Sequence, residues 1–253
     1  MRCVRFEEQG RARIGFIDGD VIRAVYGSID TYWRMTDEVF PLAGAKLLAP
    51  CVPKQIICVG FNYRDHAREF HVDVPKEPAL FTKAAHTVIG NDGKIIYPRQ
   101  SHEVVYEAEL GVVIKKRMKD VAPEDVPDYI LGYTCANDVT ARDLQLSDVQ
   151  WLRSKSFGTF CPLGPWLETD LDPTDLSIKL YLNGQLKQNG RTSDMVYNPY
   201  EILSYISQSM TLDAGDLILT GTPMGCGPML PGDEVVVEIE GIGKLRNEVV
   251  KGY

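Results

Sequence analysis

Hydrophobic positions recur at every second residue along residues 101–114, which is the period of a β-strand. The even positions are apolar without a break: Val104, Tyr106, Ala108, Leu110, Val112 and Ile114. They predict a face that packs into the core. The odd positions include Glu107 and Glu109, which would leave the same side of the strand about 6.5–7 Å apart. Like charges so close repel unless each is solvated, shares a proton or binds a cation, so the pattern fits an acidic face in water as well as a site.

The first 50 residues predict a small β-rich N-terminal appendage. Apolar residues dominate three short stretches, and Asp18-Gly19-Asp20 supplies a hairpin turn between the second and the third. The predicted strands are residues 4–6, 12–17 and 21–26. Pro50 and Pro53 then disfavour regular structure and predict the boundary to a main domain of residues 51–253.

The main domain predicts many strands and few helices. Besides the acidic strand, strands are predicted at residues 55–60 and 129–136. Short helical segments are predicted at residues 61–70, 122–125 and 139–146. The clearest amphipathic helix spans residues 198–207 and begins at an Asn-Pro cap. Because strands and helices do not alternate as in a βαβ repeat, the sequence predicts a mixed α+β, β-rich fold, a β-sandwich roll.

Composition and charge narrow the class of protein. A chain of 253 residues that is 44% hydrophobic and 25% charged is typical of a globular protein with a substantial core. The net charge of −8 and the lack of a Lys/Arg block argue against a nucleic-acid partner. The same charge repels anions, so an anionic substrate would need a local cation.

Location and redox state follow from two further patterns. No apolar run is long enough to cross a bilayer, and the N-terminus lacks the apolar segment of a secretory signal. The six cysteines are scattered without a CxxC pair or metal-ligand spacing. We therefore expect a cytoplasmic protein with reduced thiols and no membrane partner.

A third carboxylate changes the interpretation of the acidic strand. Asp138 follows a predicted strand at its end, where a side chain can point into a cleft shared with Glu107 and Glu109. Oxygen-only ligation favours Mg²⁺ or Mn²⁺, is compatible with Ca²⁺ and disfavours zinc. Three monodentate carboxylates would leave about three positions of an octahedral ion open for water and substrate. Taken alone, Asp138 would be assigned to an Asn-Asp turn or a helix cap, both of which are common.

A histidine and a glutamate form a second candidate pair. His66 and Glu69 are three residues apart and share a face if residues 61–70 are helical. A histidine oriented by a carboxylate can deprotonate water near neutral pH. The same spacing is also common in surface ion pairs, so the pair alone does not establish catalysis.

Two later positions could contact an anionic ligand. Lys155 precedes an apolar, proline-rich loop and is either a cation that faces substrate or one of many surface lysines. The glycine-rich residues 219–228 lack the lysine and hydroxyl ending of a P-loop, and prolines interrupt them where N–H donors would be needed. Nucleotide binding is therefore excluded, and Thr222 is available to hydrogen-bond a ligand carboxylate.

Together these stretches resemble the fumarylacetoacetate hydrolase family in its short form. That form includes acylpyruvate hydrolases, oxaloacetate decarboxylases and the isomerase/decarboxylases of homoprotocatechuate breakdown. The likeness is carried by residues 59–66, 106–110, 132–143, 155–157, 162–165, 182–184 and 215–223. It runs from about residue 50 to the end, whereas residues 1–50 match only loosely, as a variable N-terminal appendage would.

The resemblance implies roles for particular residues. A divalent metal, Mg²⁺ or Mn²⁺, would be held by Glu107, Glu109 and Asp138. The catalytic residues would be His66 and Glu69, on a lid over the substrate, together with Lys155. Substrate would be contacted by Arg142, Gln145 and Thr222. The family likeness also implies a homodimer with the family's mixed β-sandwich roll.

The implied activity is that of a metal-dependent enzyme acting on a 2-oxo acid. We expect hydrolytic C–C cleavage of an acylpyruvate of the fumarylpyruvate or acetylpyruvate type, through a metal-stabilised enolate. The same site would also support decarboxylation of oxaloacetate or of 5-oxopent-3-ene-1,2,5-tricarboxylate, with an associated 2-hydroxyhepta-2,4-diene-1,7-dioate isomerase activity. A third alternative is a metal-binding protein that keeps the fold without turnover. Gly158 departs from the acidic residue that many relatives have after Lys-x-Phe, which bears on substrate choice.

Overall fold

The computed structural model describes residues 1–29 and 31–252. The strands in these ranges are β1 (Arg2–Glu8), β2 (Arg11–Asp18), β3 (Val21–Gly27), β4 (Trp33–Pro41), β5 (Lys46–Leu48), β6 (Ile56–Gly60), β7 (Ala79–Lys83), β8 (Val88–Ile89), β9 (Lys94–Tyr97), β10 (Val104–Tyr106), β11 (Ala108–Ile114), β12 (Ile130–Asn137), β13 (Thr140–Ala141), β14 (Cys161–Glu168), β15 (Ser177–Leu182), β16 (Gln185–Arg191), β17 (Leu217–Leu219), β18 (Gly227–Pro228), β19 (Glu234–Ile239) and β20 (Gly243–Lys251).

The helices are short by comparison. The α-helices are α1 (Arg64–Glu69), α2 (Arg142–Ser147), α3 (Leu152–Lys155) and α4 (Pro199–Ser209). The 3₁₀ helices are Ala85–Thr87, Pro123–Tyr129 and Thr192–Asp194. The predicted β-rich fold with few short helices is confirmed. None of the helices in the described ranges is long and apolar enough to span a membrane.

Two sheets face each other across the main core. The larger has the strand order β4-β3-β2-β1-β14-β12-β11-β17-β6-β7, with β5 paired to β1 and β8 paired to β14. The second has the order β16-β15-β19-β20-β9, and a small third sheet has the order β13-β10-β18. Strands β11, β12 and β14 pack on β15, β19 and β20, so apolar side chains from both sheets form one buried cluster.

The N-terminal strands extend the larger sheet. The predicted strands near the start lie within β1, β2 and β3, and the turn between β2 and β3 falls at Gly19-Asp20 as predicted. Strand β1 pairs antiparallel with β14 of the main domain, Cys3 opposite Leu167. The sheet is thus continuous across the predicted boundary near Pro50, and the division into an appendage of residues 1–50 and a domain of 51–253 stays a prediction.

The acidic strand differs from its prediction in two ways. It is divided at Glu107, whose backbone N–H donates to Asn137 Oδ1 (2.9 Å) while its C=O accepts from the N–H of Asp138 (2.9 Å). Strand β11 lies between β12 and β17, and every residue in it is buried. The alternative of an acidic face in water is therefore wrong, because a central strand of this sheet is covered on both faces.

The helix predicted at 139–146 begins later. Thr140 and Ala141 pair with Val105 and Val104 as strand β13, so helix α2 starts only at Arg142. The short helix predicted at 122–125 is the start of a 3₁₀ helix, and the one predicted at 61–70 is α1. All six cysteines are free thiols, as expected.

The cap of α4 is the feature that the sequence predicted best. The Asn198 side chain accepts hydrogen bonds from the N–H groups of Tyr200 (2.9 Å) and Glu201 (3.1 Å). In return, the Glu201 carboxylate accepts from the Asn198 N–H (2.8 Å), and Pro199 occupies the first helical position. The cap satisfies N–H groups that have no partner within the helix.

We expect Asn198→Ala to lower the free energy of unfolding by about 1 kcal/mol, because it removes both acceptor contacts. Asn198→Asp should retain most of this stability. Gln208→Ala, at an exposed position of the same helix, is the matched control and should change the free energy by less than about 0.5 kcal/mol. Denaturant unfolding measures all three, and equal losses in Asn198→Ala and Gln208→Ala would contradict the capping role.

Candidate functional site

Three carboxylates meet at the end of β12. Glu107 lies in the break between β10 and β11, Glu109 lies on β11, and Asp138 immediately follows β12. Because β11 pairs antiparallel with β12, Ala108 opposite Asn137, the chain ends that carry Glu107 and Asp138 are adjacent. The nearest oxygens of the three carboxylates lie within 4.8 Å of one another, and all three residues are at most 4% exposed. We call these residues the acidic cluster.

Three basic side chains surround the acidic cluster. Lys155 Nζ donates to Glu107 Oε2 (2.8 Å) and to Asp138 Oδ2 (2.6 Å). Arg142 Nη2 donates to Glu107 Oε1 (2.7 Å), and Lys83 Nζ donates to Asp138 Oδ1 (2.6 Å). Three positive charges therefore balance three negative ones. Lys155 is 2% exposed, so its alternative as a surface lysine is wrong.

The positive charges do not compensate the three carboxylates equally. Burial alone would raise the pKa of Glu107, but the charges of Lys155 and Arg142 outweigh it and lower that pKa to about 2. Burial, followed by the charges of Asp138 and Glu107, holds the pKa of Glu109 well above its usual value. Among the described residues Glu109 has no salt-bridge partner, and its Oε2 accepts only the N–H of Gly221 (2.7 Å). The negative potential is thus least compensated at Glu109.

The donor set fits a hard divalent cation. It consists of carboxylate oxygens alone, it is buried, and it contains one carboxylate that lacks a positive partner in the described ranges. Mg²⁺ and Mn²⁺ are bound by such oxygens in proteins. An ion held by Glu107, Glu109 and Asp138 would share two of these carboxylates with the ammonium group of Lys155.

The His66–Glu69 pair forms as the spacing predicts. His66 and Glu69 lie on α1, and His66 Nδ1 is 3.1 Å from Glu69 Oε2. The other carboxylate oxygen of Glu69 accepts from the N–H of Gly225 (3.1 Å). The imidazole stacks on Phe61 and meets the edge of Phe70, with ring centroids 5.8 and 4.9 Å away. With Nδ1 donating to Glu69, the lone pair is on Nε2.

The predicted substrate contacts lie close to both groups. Arg142 donates to Gln145 Oε1 as well as to Glu107, and its guanidinium lies over the Phe70 ring. Thr222 is buried, and its hydroxyl accepts from Gln188 Nε2 (2.8 Å), which leaves its own O–H free to donate.

One cavity connects these groups. It is lined by Val59, Gly60, Phe61, His66, Phe81, Glu107, Glu109, Arg142, Gln145, Trp151, Lys155 and Thr222. The structure therefore brings the predicted substrate-binding residues, His66 and two of the predicted metal ligands to one opening, and Asp138 is buried next to them.

Three residues at this site were missed from the sequence. Lys83 is buried and also donates to the Val139 C=O (3.0 Å). Gln188 joins Thr222 to the start of β11, where its Oε1 accepts from the Ala108 N–H (2.9 Å). Cys226 Sγ lies 4.0 Å from His66 Nδ1. Of these three, only Lys83 had a signal in the sequence. It is two residues from Phe81, so the period of a strand places both side chains on the same face.

Two family models match nearly the whole chain. Residues 55–250 match the fumarylacetoacetate (FAA) hydrolase C-terminal model, and residues 1–50 match the Rv2993c-like N-terminal model. Mitochondrial oxaloacetate tautomerase FAHD2B from Bos taurus is 42% identical, with 98% of this chain and 79% of that protein covered.

Solved structures give the same result. A 2-hydroxyhepta-2,4-diene-1,7-dioate isomerase from Mycobacterium marinum is 41% identical, with a TM-score of 0.92 and 99% and 98% of the two chains covered. Maleylpyruvate hydrolase from Sphingobium sp. SYK-6, in complex with manganese(II) and pyruvate, is 29% identical, with a TM-score of 0.82 and 100% of both chains covered. These relatives are enzymes, and the family-model match spans more than half of the chain. The chain therefore belongs to the fumarylacetoacetate hydrolase family.

Proposed function

We propose that this protein is a divalent-metal-dependent enzyme that moves a proton at the carbon next to the oxo group of a small 2-oxo dicarboxylic acid, as in tautomerisation of oxaloacetate. One observation carries the proposal: His66, oriented by Glu69, opens onto the same cavity as the acidic cluster. The relatives about 40% identical over nearly the whole chain, a tautomerase and an isomerase, support proton transfer in particular.

Charge supports a dianionic substrate. Lys83, Lys155 and Arg142 balance the acidic cluster, so a divalent ion would bring two further positive charges. The two carboxylates of a 2-oxo dicarboxylic acid would neutralise them, although the chain as a whole repels anions. An ion held by Glu107, Glu109 and Asp138, Mg²⁺ or Mn²⁺, would supply Lewis-acid polarisation of the 2-oxo group.

The chain's own groups account for the proton movement. In the keto-to-enol direction, His66 Nε2 takes a proton from the carbon beside the oxo group and, as the imidazolium, gives that proton to the enolate oxygen, so that neutral His66 and the enol result. Glu69 keeps the imidazole in the required tautomer and stabilises its charged form. Lys155 and Arg142 would orient the substrate carboxylates. The ring of Phe61 packs at the edge of Trp151 and, with Phe70, limits water around His66.

Hydrolytic C–C cleavage of an acylpyruvate, the activity expected from the sequence, is the second candidate. The same His66–Glu69 pair can take a proton from water instead of carbon. The maleylpyruvate hydrolase of similar fold supports this alternative. Decarboxylation of oxaloacetate, which would need no attacking water, is the third candidate activity. A homodimer remains part of the proposal from family likeness.

A substrate panel separates these activities. The enzyme is assayed with Mg²⁺ or Mn²⁺ on enol-oxaloacetate, acetylpyruvate and fumarylpyruvate, while loss of the enol's ultraviolet absorbance, pyruvate release and deuterium incorporation beside the oxo group are followed. We expect fast loss of the enol and fast deuterium exchange, without pyruvate release, and we expect a chelator to remove the activity. Cleavage of an acylpyruvate without faster tautomerisation would replace the proposal by the second candidate.

A further inference from the structure

We infer that His66, Glu69 and Cys226 form a second metal site, which binds a borderline-soft divalent ion such as Zn²⁺ and is separate from the acidic cluster. The imidazole nitrogen, the carboxylate oxygen and the thiol sulfur lie within 4.8 Å of one another. A nitrogen, an oxygen and a sulfur are ligands that zinc accepts and Mg²⁺ does not. The set shares no residue with the acidic cluster.

The distances suit a tetrahedral ion. Zinc bonds of about 2.0–2.1 Å to nitrogen or oxygen and about 2.3 Å to sulfur separate the ligand atoms by about 3.3 Å for N···O and about 3.6 Å for N···S. Here His66 Nδ1 is 3.1 Å from Glu69 Oε2 and 4.0 Å from Cys226 Sγ. Shifts of a few tenths of an ångström would therefore bring the nitrogen to zinc-ligand spacing from both other atoms, and the sulfur and the carboxylate oxygen lie within 4.8 Å of each other.

The loop that carries Cys226 is built to hold this position. Gly225 has a φ of +98°, and a Cβ there would lie 2.4 Å from the Lys187 C=O, so the turn requires glycine. The Gly225 N–H donates to Glu69 (3.1 Å), which ties the loop to α1. Gln188 Nε2 also donates to Cys226 Sγ (3.7 Å). The ligands thus come from two elements that already contact each other.

An ion can reach this cluster from outside. Burial, and then the charge of Glu107, hold the pKa of the Cys226 thiol well above its usual value, so this thiol keeps its proton when no metal is bound. A bound divalent ion would displace that proton to solvent, because zinc is held by the thiolate. The Glu69 side chain is 28% exposed, so an ion can reach the cluster from outside.

Zinc bound at this site would occupy His66 Nδ1, the nitrogen that faces Glu69. The proposed base would then be held as a metal ligand, and the enzyme would be inhibited. The inhibition that follows rests on the proposed function of His66, whereas the binding itself does not. The test therefore measures binding and activity separately.

The binding test uses Co²⁺ and Zn²⁺ with excess Mg²⁺ present to fill the acidic cluster. We expect one equivalent of Co²⁺ to give a thiolate-to-cobalt absorption band, and Zn²⁺ to remove that band by competition. Cys226→Ala and Cys226→Ser should lose the band, and their Zn²⁺ affinity, measured against a chromophoric chelator, should fall more than about 100-fold. Cys51→Ala, at a buried cysteine in a different core cluster, is the matched control and should keep both.

Two results would overturn the site: no thiolate-to-cobalt band in the folded wild-type protein, or equal Zn²⁺ affinity in the wild type and in folded Cys226→Ala. Unfolding curves establish that each variant is folded. In the activity arm, Zn²⁺ should inhibit the wild type far more strongly than Cys226→Ala, each relative to its own rate without zinc. Binding without inhibition would support the metal site and contradict the proposed role of His66.

Discussion

Glu109→Gln should abolish Mg²⁺ binding and strongly lower kcat without weakening the fold. The substitution removes the carboxylate around which the negative potential is least compensated, so the cluster loses both a ligand and its main attraction for a cation. If the ion lowers the activation free energy by several kcal/mol, its loss lowers kcat by about 10²–10⁴-fold. Isothermal titration with Mg²⁺ and the rate of enol loss measure the two effects.

The stability of the metal-free Glu109→Gln protein provides a second test of the role of Glu109. Glu109 is buried, is repelled by Asp138 and Glu107, and has no salt-bridge partner in the described ranges. Replacing it with a neutral isostere relieves that repulsion, so the unfolding midpoint without metal should stay constant or rise. An amide oxygen can still accept from the Gly221 N–H.

Asp138→Asn is the matched control for this stability effect. It removes a negative charge from the same cluster but leaves Lys83 and Lys155 buried with one partner fewer. We expect a loss of about 3–5 kcal/mol in the free energy of unfolding, together with the loss of Mg²⁺ binding. Wild-type turnover by Glu109→Gln in the presence of a chelator would contradict the proposed metal site.

The sequence predicted the acidic pair because periodicity is a local property. Alternation along residues 101–114 was enough to place Glu107 and Glu109 on one side of the strand. It could not predict the break at Glu107, which depends on Asn137 from the neighbouring strand. Nor could it predict burial of both faces, since that follows from the position of β11 between β12 and β17. Sheet neighbours are set by long-range pairing, which spacing along one strand does not encode.

Lys83 and Cys226 illustrate the same limit at the site. Lys83 ends the strand that pairs with β6 at the edge of the large sheet, and only this pairing brings its ammonium group to Asp138. Cys226 was one of six scattered cysteines, and its proximity to His66 depends on the turn at Gly225. By contrast, the cap of α4 lies within a few adjacent residues, so the Asn-Pro signal was sufficient.

His66→Ala should lower kcat by about 10²–10⁴-fold while the affinity for Mg²⁺ changes little, because His66 is the proposed base and is not a ligand in the acidic cluster. Glu69→Gln should cost less, since its amide oxygen can still accept from Nδ1–H but no longer stabilises the imidazolium charge. Arg68→Gln, at an exposed neighbouring position on α1, is the matched control and should keep wild-type kcat.

The double variant decides whether the two residues act as one unit. If Glu69 acts only through the imidazole, His66→Ala with Glu69→Gln should be no slower than His66→Ala alone, since the second change has nothing left to affect. Additive losses would instead mean that Glu69 acts on substrate directly. Because Glu69 also accepts from the Gly225 N–H, unfolding curves must show that the loop contact does not account for the loss. If the His66→Ala protein exchanged protons beside the oxo group at the wild-type rate, His66 would not be the base.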